Sequence, residues 1–300
     1  MIVSRSQLLA LVALTLVWGL NWPLMKFSLR ELSPVYFRAV TMSAGVLLLL
    51  AWYRSRGVAM SLPRAAWVPV LVLALPNIFG WHLFSILGVQ ELASGRAATL
   101  GFTMPIWTVL LAALFFGQGL SRRALIGVAC GGTAVALLVA QEITALAGRP
   151  LGVLWMQIAA ASWALGTILM RRSTLNLGTA AITVWMMMLS SVGFWAVAAA
   201  AEPWPLWQFS AGMWAALLWG AAINYGVAQV IWFGLARTLA PQASTFAIMA
   251  VPLVGTMSAT FIVGEVPRLL DFVAAGFIML AIASALLPSR RGPVAQKSQP

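Results

Sequence analysis

The chain is poor in the residues on which soluble and catalytic proteins depend. Its one cysteine, Cys130, lies inside an apolar run, so no disulfide framework can hold the chain together. One histidine and six acids are too few for the His, Asp and Glu clusters that metal sites and acid–base dyads need, which argues against an enzyme. Charged residues are 8% of the chain, against roughly 25% in soluble domains. What takes their place is apolar: 62% of 300 residues are hydrophobic, more than a soluble globule of this size could cover. The base excess, 18 Lys+Arg against 6 Asp+Glu, would suggest nucleic acid if it formed a patch. The bases instead occupy short gaps between apolar stretches. The chain therefore reads as an all-α integral membrane protein whose partner is the lipid bilayer, with no nucleic acid.

A helix needs about 20 apolar residues to cross a hydrocarbon core roughly 30 Å thick. Ten such windows can be marked, at about 7–27, 35–53, 66–88, 94–117, 122–141, 151–170, 179–201, 210–235, 241–264 and 269–288. The first has no small-residue cleavage site after it and reads as a helix, not a signal peptide. With the N-terminus in the cytoplasm, the inner side holds 12 of the 18 bases. The outer side holds the other six (Lys26, Arg30, Arg38, Arg96, Arg149, Arg268) and all six acids (Glu31, Glu91, Glu142, Glu202, Glu265, Asp271). That bias is a positive-inside signal, and an even span count places both termini in the cytoplasm. The tail at 289–300 is polar and is expected to be disordered.

The chain also repeats itself. WGLNWPLMK at 18–26 is answered by WALGTILMR at 163–171, and Pro105 and Gly117 by Pro252 and Gly264, with offsets of 145 and 147. Two halves of about 145 residues follow, 1–145 and 146–288, each with five spans. An odd number forces the second copy to enter the membrane from the opposite side. Inverted repeats of this kind are a mark of secondary transporters, with the substrate at mid-depth between the halves.

VWGLNWP in helix 1, the stretch from Glu91 to Gly132 and its echo from Ala240 to Gly276 resemble the two EamA repeats of the drug/metabolite transporter superfamily. The resemblance covers essentially the whole chain. It implies a ten-helix, 5+5 bundle in the bacterial inner membrane that exports small metabolites. Within the superfamily the tryptophan-rich composition is most similar to YddG-type aromatic amino acid exporters. One departure is visible: the glutamate that often follows the glycine ending helix 4 is present as Glu265 after Gly264, but Gln118 follows Gly117.

Candidate site residues are those near the span centres. Trp18 and Trp163 are repeat-equivalent and should face one another across a central space. Asn21, His82, Asn224 and Gln229 are polar groups at depth, where buried polar side chains tend to face a cavity. Tyr225 and Gln229, four apart, share a helix face; Phe79 adds an aromatic surface. Pro76, Pro105 and Pro252 lie at span centres, where proline removes a donor and displaces the carbonyl four residues back. They are read as hinges, with the carbonyls of Gly101 and Ile248 free to meet an ammonium. No acid lies in the central third of any span, so no carboxylate proton relay is expected. No Lys or Arg is expected at depth either, which argues against phosphorylated substrates.

The expectation is a carrier for aromatic or other hydrophobic amino acids, working by alternating access and not driven by protons; the alternative is a multidrug exporter of lipophilic organic cations. No cofactor or metal is expected, and one chain suffices to enclose a pathway.

Overall fold

The computed structural model describes residues 4–144, 148–236 and 241–286; these form helices and connecting loops with no strand. Helices α1 (Arg5–Ser28) and α2 (Pro34–Ser55) are continuous. The third apolar stretch, Arg64–Glu91, is built from α3 (Trp67–Ala74), a π-helical segment at Leu75–Gly80 and α4 (Trp81–Glu91). The fourth, Ser94–Phe116, breaks between α5 (Ser94–Gly101) and α6 (Met104–Phe116). Helices α7 (Arg122–Thr144), α8 (Pro150–Arg172) and α9 (Thr179–Ala201) are again continuous. Then come α10 (Ala211–Leu218), a second π-helical segment at Trp219–Val227, α11 (Ala228–Ala236), α12 (Pro241–Ile262) and α13 (Leu269–Leu286).

Among the described residues, eight helical stretches are long and apolar enough to cross a bilayer. The ninth and tenth expected windows fall on α12 and α13. Large apolar side chains such as Leu9, Val68, Phe115 and Phe261 stand exposed, as lipid-facing positions require. The expected tail at 289–300 lies outside the described residues.

Five of the six acids hold the starts of helices. Glu202 accepts from the N–H groups of Val35 and Tyr36 at the start of α2, and Glu265 from Ser94 N at the start of α5. Glu142 takes Arg149 N before α8, Glu31 takes Ser210 N before α10, and Asp271 takes Arg268 N before α13. Each carboxylate satisfies an N–H that has no partner within its helix and meets the positive end of the helix dipole. Arg96 ties two of these acids together, pairing with Glu142 and with Asp271 Oδ1 at 2.7 Å.

The prolines act differently from the expected symmetric hinges. Pro76 stands in the first turn of a π-helical segment, a widened turn that accommodates the missing N–H. Pro105 is not a mid-helix kink: the chain breaks at Phe102–Thr103 and Pro105 falls in the first turn of α6, where its missing donor is harmless. At that break the carbonyl of Leu100 takes the Thr103 N–H (3.1 Å) and hydroxyl (2.7 Å). Of the three, Pro252 alone lies inside a continuous α-helix.

Candidate functional site

The two π-helical segments place the polar residues. The first turns Asn77 towards α8, where its amide lies against Gly166 and donates back to Leu73 O at 3.1 Å. The second carries Asn224 and Tyr225, both buried. Tyr225 fits because Gly45 of α2 has no side chain; a Cβ there would strike the tyrosine's Cβ.

Around Tyr225 a compact polar cluster forms from three stretches of chain. Arg38 of α2, 2% exposed, donates from Nη1 to the Tyr225 hydroxyl at 3.0 Å. Its Nη2 donates to Ser85 Oγ at 3.1 Å and its Nε to the His82 carbonyl at 3.3 Å. Tyr225 Oη lies 3.2 Å from His82 Nδ1. The guanidinium can only donate, so Nδ1 is the acceptor within reach of the tyrosine proton, and with that bond made the histidine proton sits on Nε2. Arg38 pairs with no carboxylate among the described residues.

Aromatic rings continue from the cluster. The His82 ring lies 5.3 Å from Tyr225 and 6.5 Å from Trp81. Trp81 in turn meets Trp163 at 5.5 Å and Trp22 at 6.4 Å. Trp18 meets Trp232 at 5.5 Å, so the two repeat-equivalent tryptophans each have a different ring partner. Phe79 stacks on Phe194 at 4.8 Å, on the side facing α9. Asn21 and Gln229 are half-buried, and with Asn224 they make no side-chain hydrogen bond among the described residues. Between Tyr225 and Gln229 the chain leaves its widened turn, so α-helical spacing no longer puts the two on one face.

Sequence reasoning thus brought His82 and Tyr225 together with Trp163 nearby, and missed Arg38, Ser85, Trp81 and Trp232. Arg38, which its position assigned to the outer side, is buried. Arg38 is five residues into α2 and turns inwards among polar side chains. Its signal was a charge inside an apolar window, which position alone assigned to the loop. A cavity of about 400 Å³ at the acid-bearing end is lined by Lys26, Leu29, Arg30, Gln90, Val263 and Glu265, and by none of the expected residues. There Lys26 Nζ closes the end of α4, donating to the Val89 and Gln90 carbonyls at 2.8 Å each.

The family model of EamA-like transporters matches residues 5–140 and 150–287. The chain belongs to the EamA-like transporter family. Its relatives include the uncharacterized inner membrane transporter YedA of Escherichia coli strain K12, 27% identical over 93% of this chain and 90% of that one. The uncharacterized transporter YvbV of Bacillus subtilis is 26% identical over 96% and 92%. A protein of known crystal structure shares the fold, with a TM-score of 0.67, 21% identity, and coverage of 99% of this chain and all of that one. This EamA-like chain is therefore a multi-pass membrane transporter, and family and relatives point away from an enzyme.

Proposed function

We propose that the chain is an inner-membrane carrier for small metabolites, with aromatic and other hydrophobic amino acids as the substrate class. It works by alternating access, without proton coupling. Ten spans form two inverted halves, 1–145 and 146–288, and both termini face the cytoplasm with the acid-bearing end outside. Trp18, Asn21, Phe79, His82, Trp163, Asn224, Tyr225 and Gln229 line the route, and Pro76 and Pro252 mark where its helices bend.

The observation that carries this reading is the exchange symmetry of the packing. α1 runs along α12, and its counterpart in the other half, α8, runs along α5 and α6. α2 packs on the second π-helical segment, and α9 on the first. The segments themselves, Leu75–Gly80 and Trp219–Val227, overlap at the offset that relates the repeats. Irregular helix at matching depth in two halves supports a route between them. The aromatic run Trp22–Trp81–Trp163 beside His82 supplies surface for a ring and cation–π contact for an ammonium. The cation-exporter alternative drew on an acid-free aromatic lining; the guanidinium of Arg38 in the same cluster opposes it.

The test is counterflow in proteoliposomes across the twenty amino acids and lipophilic cations such as tetraphenylphosphonium. Exchange of aromatic amino acids, weakened in Trp163→Ala and Trp81→Ala, is the expected result. Exchange of cations alone overturns the proposal. Concentrative uptake driven by an imposed pH gradient overturns the uncoupled mechanism.

A further inference from the structure

Arg38 carries a full positive charge, is almost wholly buried, and has only neutral partners: a hydroxyl from Tyr225, one from Ser85 and the carbonyl of His82. Burying a charge is costly unless an opposite charge accompanies it. The acid that touches α2, Glu202, caps the helix through Ser33, Val35 and Tyr36 and is committed there. Of the five guanidinium N–H groups, three are used, leaving one on Nη1 and one on Nη2. The relay through Tyr225 adds a further donor, since His82 presents N–H at Nε2. The cluster is thus rich in donors, short of acceptors, and one negative charge from neutrality.

We propose that Arg38, with His82 Nε2–H beside it, is the anchor for a carboxylate on the transported molecule, so that the site takes monocarboxylates and rejects amines that lack one. This rests on the amino acid reading above and sharpens it. A carboxylate accepts two N–H bonds from a guanidinium in the geometry that makes such pairs strong. The tryptophans joined through Trp81 start 6.5 Å from the His82 ring and offer surface for the substrate's ring or ammonium. The incoming carboxylate meets the N–H groups left on Nη1 and Nη2, so the bonds to Tyr225, Ser85 and the His82 carbonyl stay in place.

The experiment uses purified full-length protein and indole compounds differing only in their charged groups: L-tryptophan, L-tryptophanamide, tryptamine and indole-3-propionate, with phenyl phosphate added. Binding is read from the rise in melting temperature with ligand concentration and from competition in counterflow. L-Tryptophan and indole-3-propionate should bind, with the amide and tryptamine weaker by about tenfold or more. Arg38→Gln should lower the affinity for L-tryptophan to that of the amide and leave the amide's own affinity unchanged. An amide or amine that binds as tightly as L-tryptophan overturns the anchor, as does undiminished affinity in Arg38→Gln or a preference for phenyl phosphate. If Arg38→Gln does not fold, the acid–amide comparison on the wild-type protein decides alone. Binding of indole-3-propionate with no amino acid bound keeps the anchor and defeats the amino acid reading. Binding of no carboxylate in the set overturns both.

Discussion

Replacing Arg96 by Met should be among the most destabilising single changes at the acid-bearing end. The guanidinium joins α5 to Glu142 of α7 and Asp271 of α13, and all three side chains are buried or nearly so. Methionine fills most of the volume, so the loss is electrostatic and leaves two carboxylates without their cation. Removing one partner of a buried ion pair typically costs about 3–5 kcal/mol. Here each acid keeps one backbone donor, Arg149 N for Glu142 at 2.9 Å and Arg268 N for Asp271 at 2.7 Å, which favours the lower end, about 3 kcal/mol. At about 2–4 °C per kcal/mol, the melting temperature should fall by about 6–12 °C. Tryptophan fluorescence of the detergent-solubilised protein reads this directly. The decisive comparison is Arg96→Met made in a Glu142→Gln, Asp271→Asn background, where no charge is stranded and the penalty should shrink to less than half. A drop below about 2 °C for the single variant, or an equal penalty in both backgrounds, refutes the reasoning.

Three further outcomes concern other parts of the fold. The Ser210 hydroxyl and N–H hold the Glu31 carboxyl below the ordinary glutamate range, in an exposed loop. Glu31 binds its proton less readily folded than unfolded. Its contribution is therefore complete above about pH 4.3 and disappears as pH falls through the lowered folded value; amide exchange at the start of α10 should quicken there, and Glu31→Gln should remove the dependence. Gly264, just past α12, has φ at +77° and open space where a Cβ would stand, so Gly264→Ala should cost about 1–2 kcal/mol in thermal unfolding from backbone strain alone. Gly45→Val drives a side chain into Tyr225; it should destabilise by about 1–3 kcal/mol and weaken substrate competition, whereas a counterflow rate equal to wild type would detach α2 from the site.

How much was legible depended on whether a property is local. Apolar windows of span length are local, and the helices follow them closely, since a backbone in lipid must satisfy its own hydrogen bonds. The Pro105 break is also local, yet a proline can start a helix as readily as bend one, and its position in the span does not separate the two. The second π-helical segment had no proline to announce it; it depends on Gly45 and Gly220 letting α2 approach, a contact between residues far apart in sequence. Arg38 is the clearest case. Counting it by position made it a loop charge, while its role is set by Ser85, His82 and Tyr225 on other helices. Phe79 and Trp18 are aromatic at depth, but which ring each meets is decided by helix rotation, which depth does not encode.

One of the places where the halves differ in a charged residue has a backbone explanation. Glu265, just past the left-handed Gly264 that follows α12, accepts from Ser94 N at 2.8 Å and Ser94 Oγ at 2.6 Å, closing the start of α5. At the repeat offset of 147, Gly264 corresponds to Gly117, Glu265 to Gln118 and Ser94 to Pro241. Proline opens α12 without an N–H, so a carboxylate at 118 would lack the donor that Glu265 uses at Ser94. Gln118 itself is exposed. Glu265→Ala should then cost about 1 kcal/mol, the usual worth of a helix-start acceptor, and loosen α5 from the end of α12 in hydrogen exchange. Gln118→Glu should change stability by less than about 0.5 kcal/mol. A clear gain from that substitution would mean that the proline is not what relieves the first half of its acid.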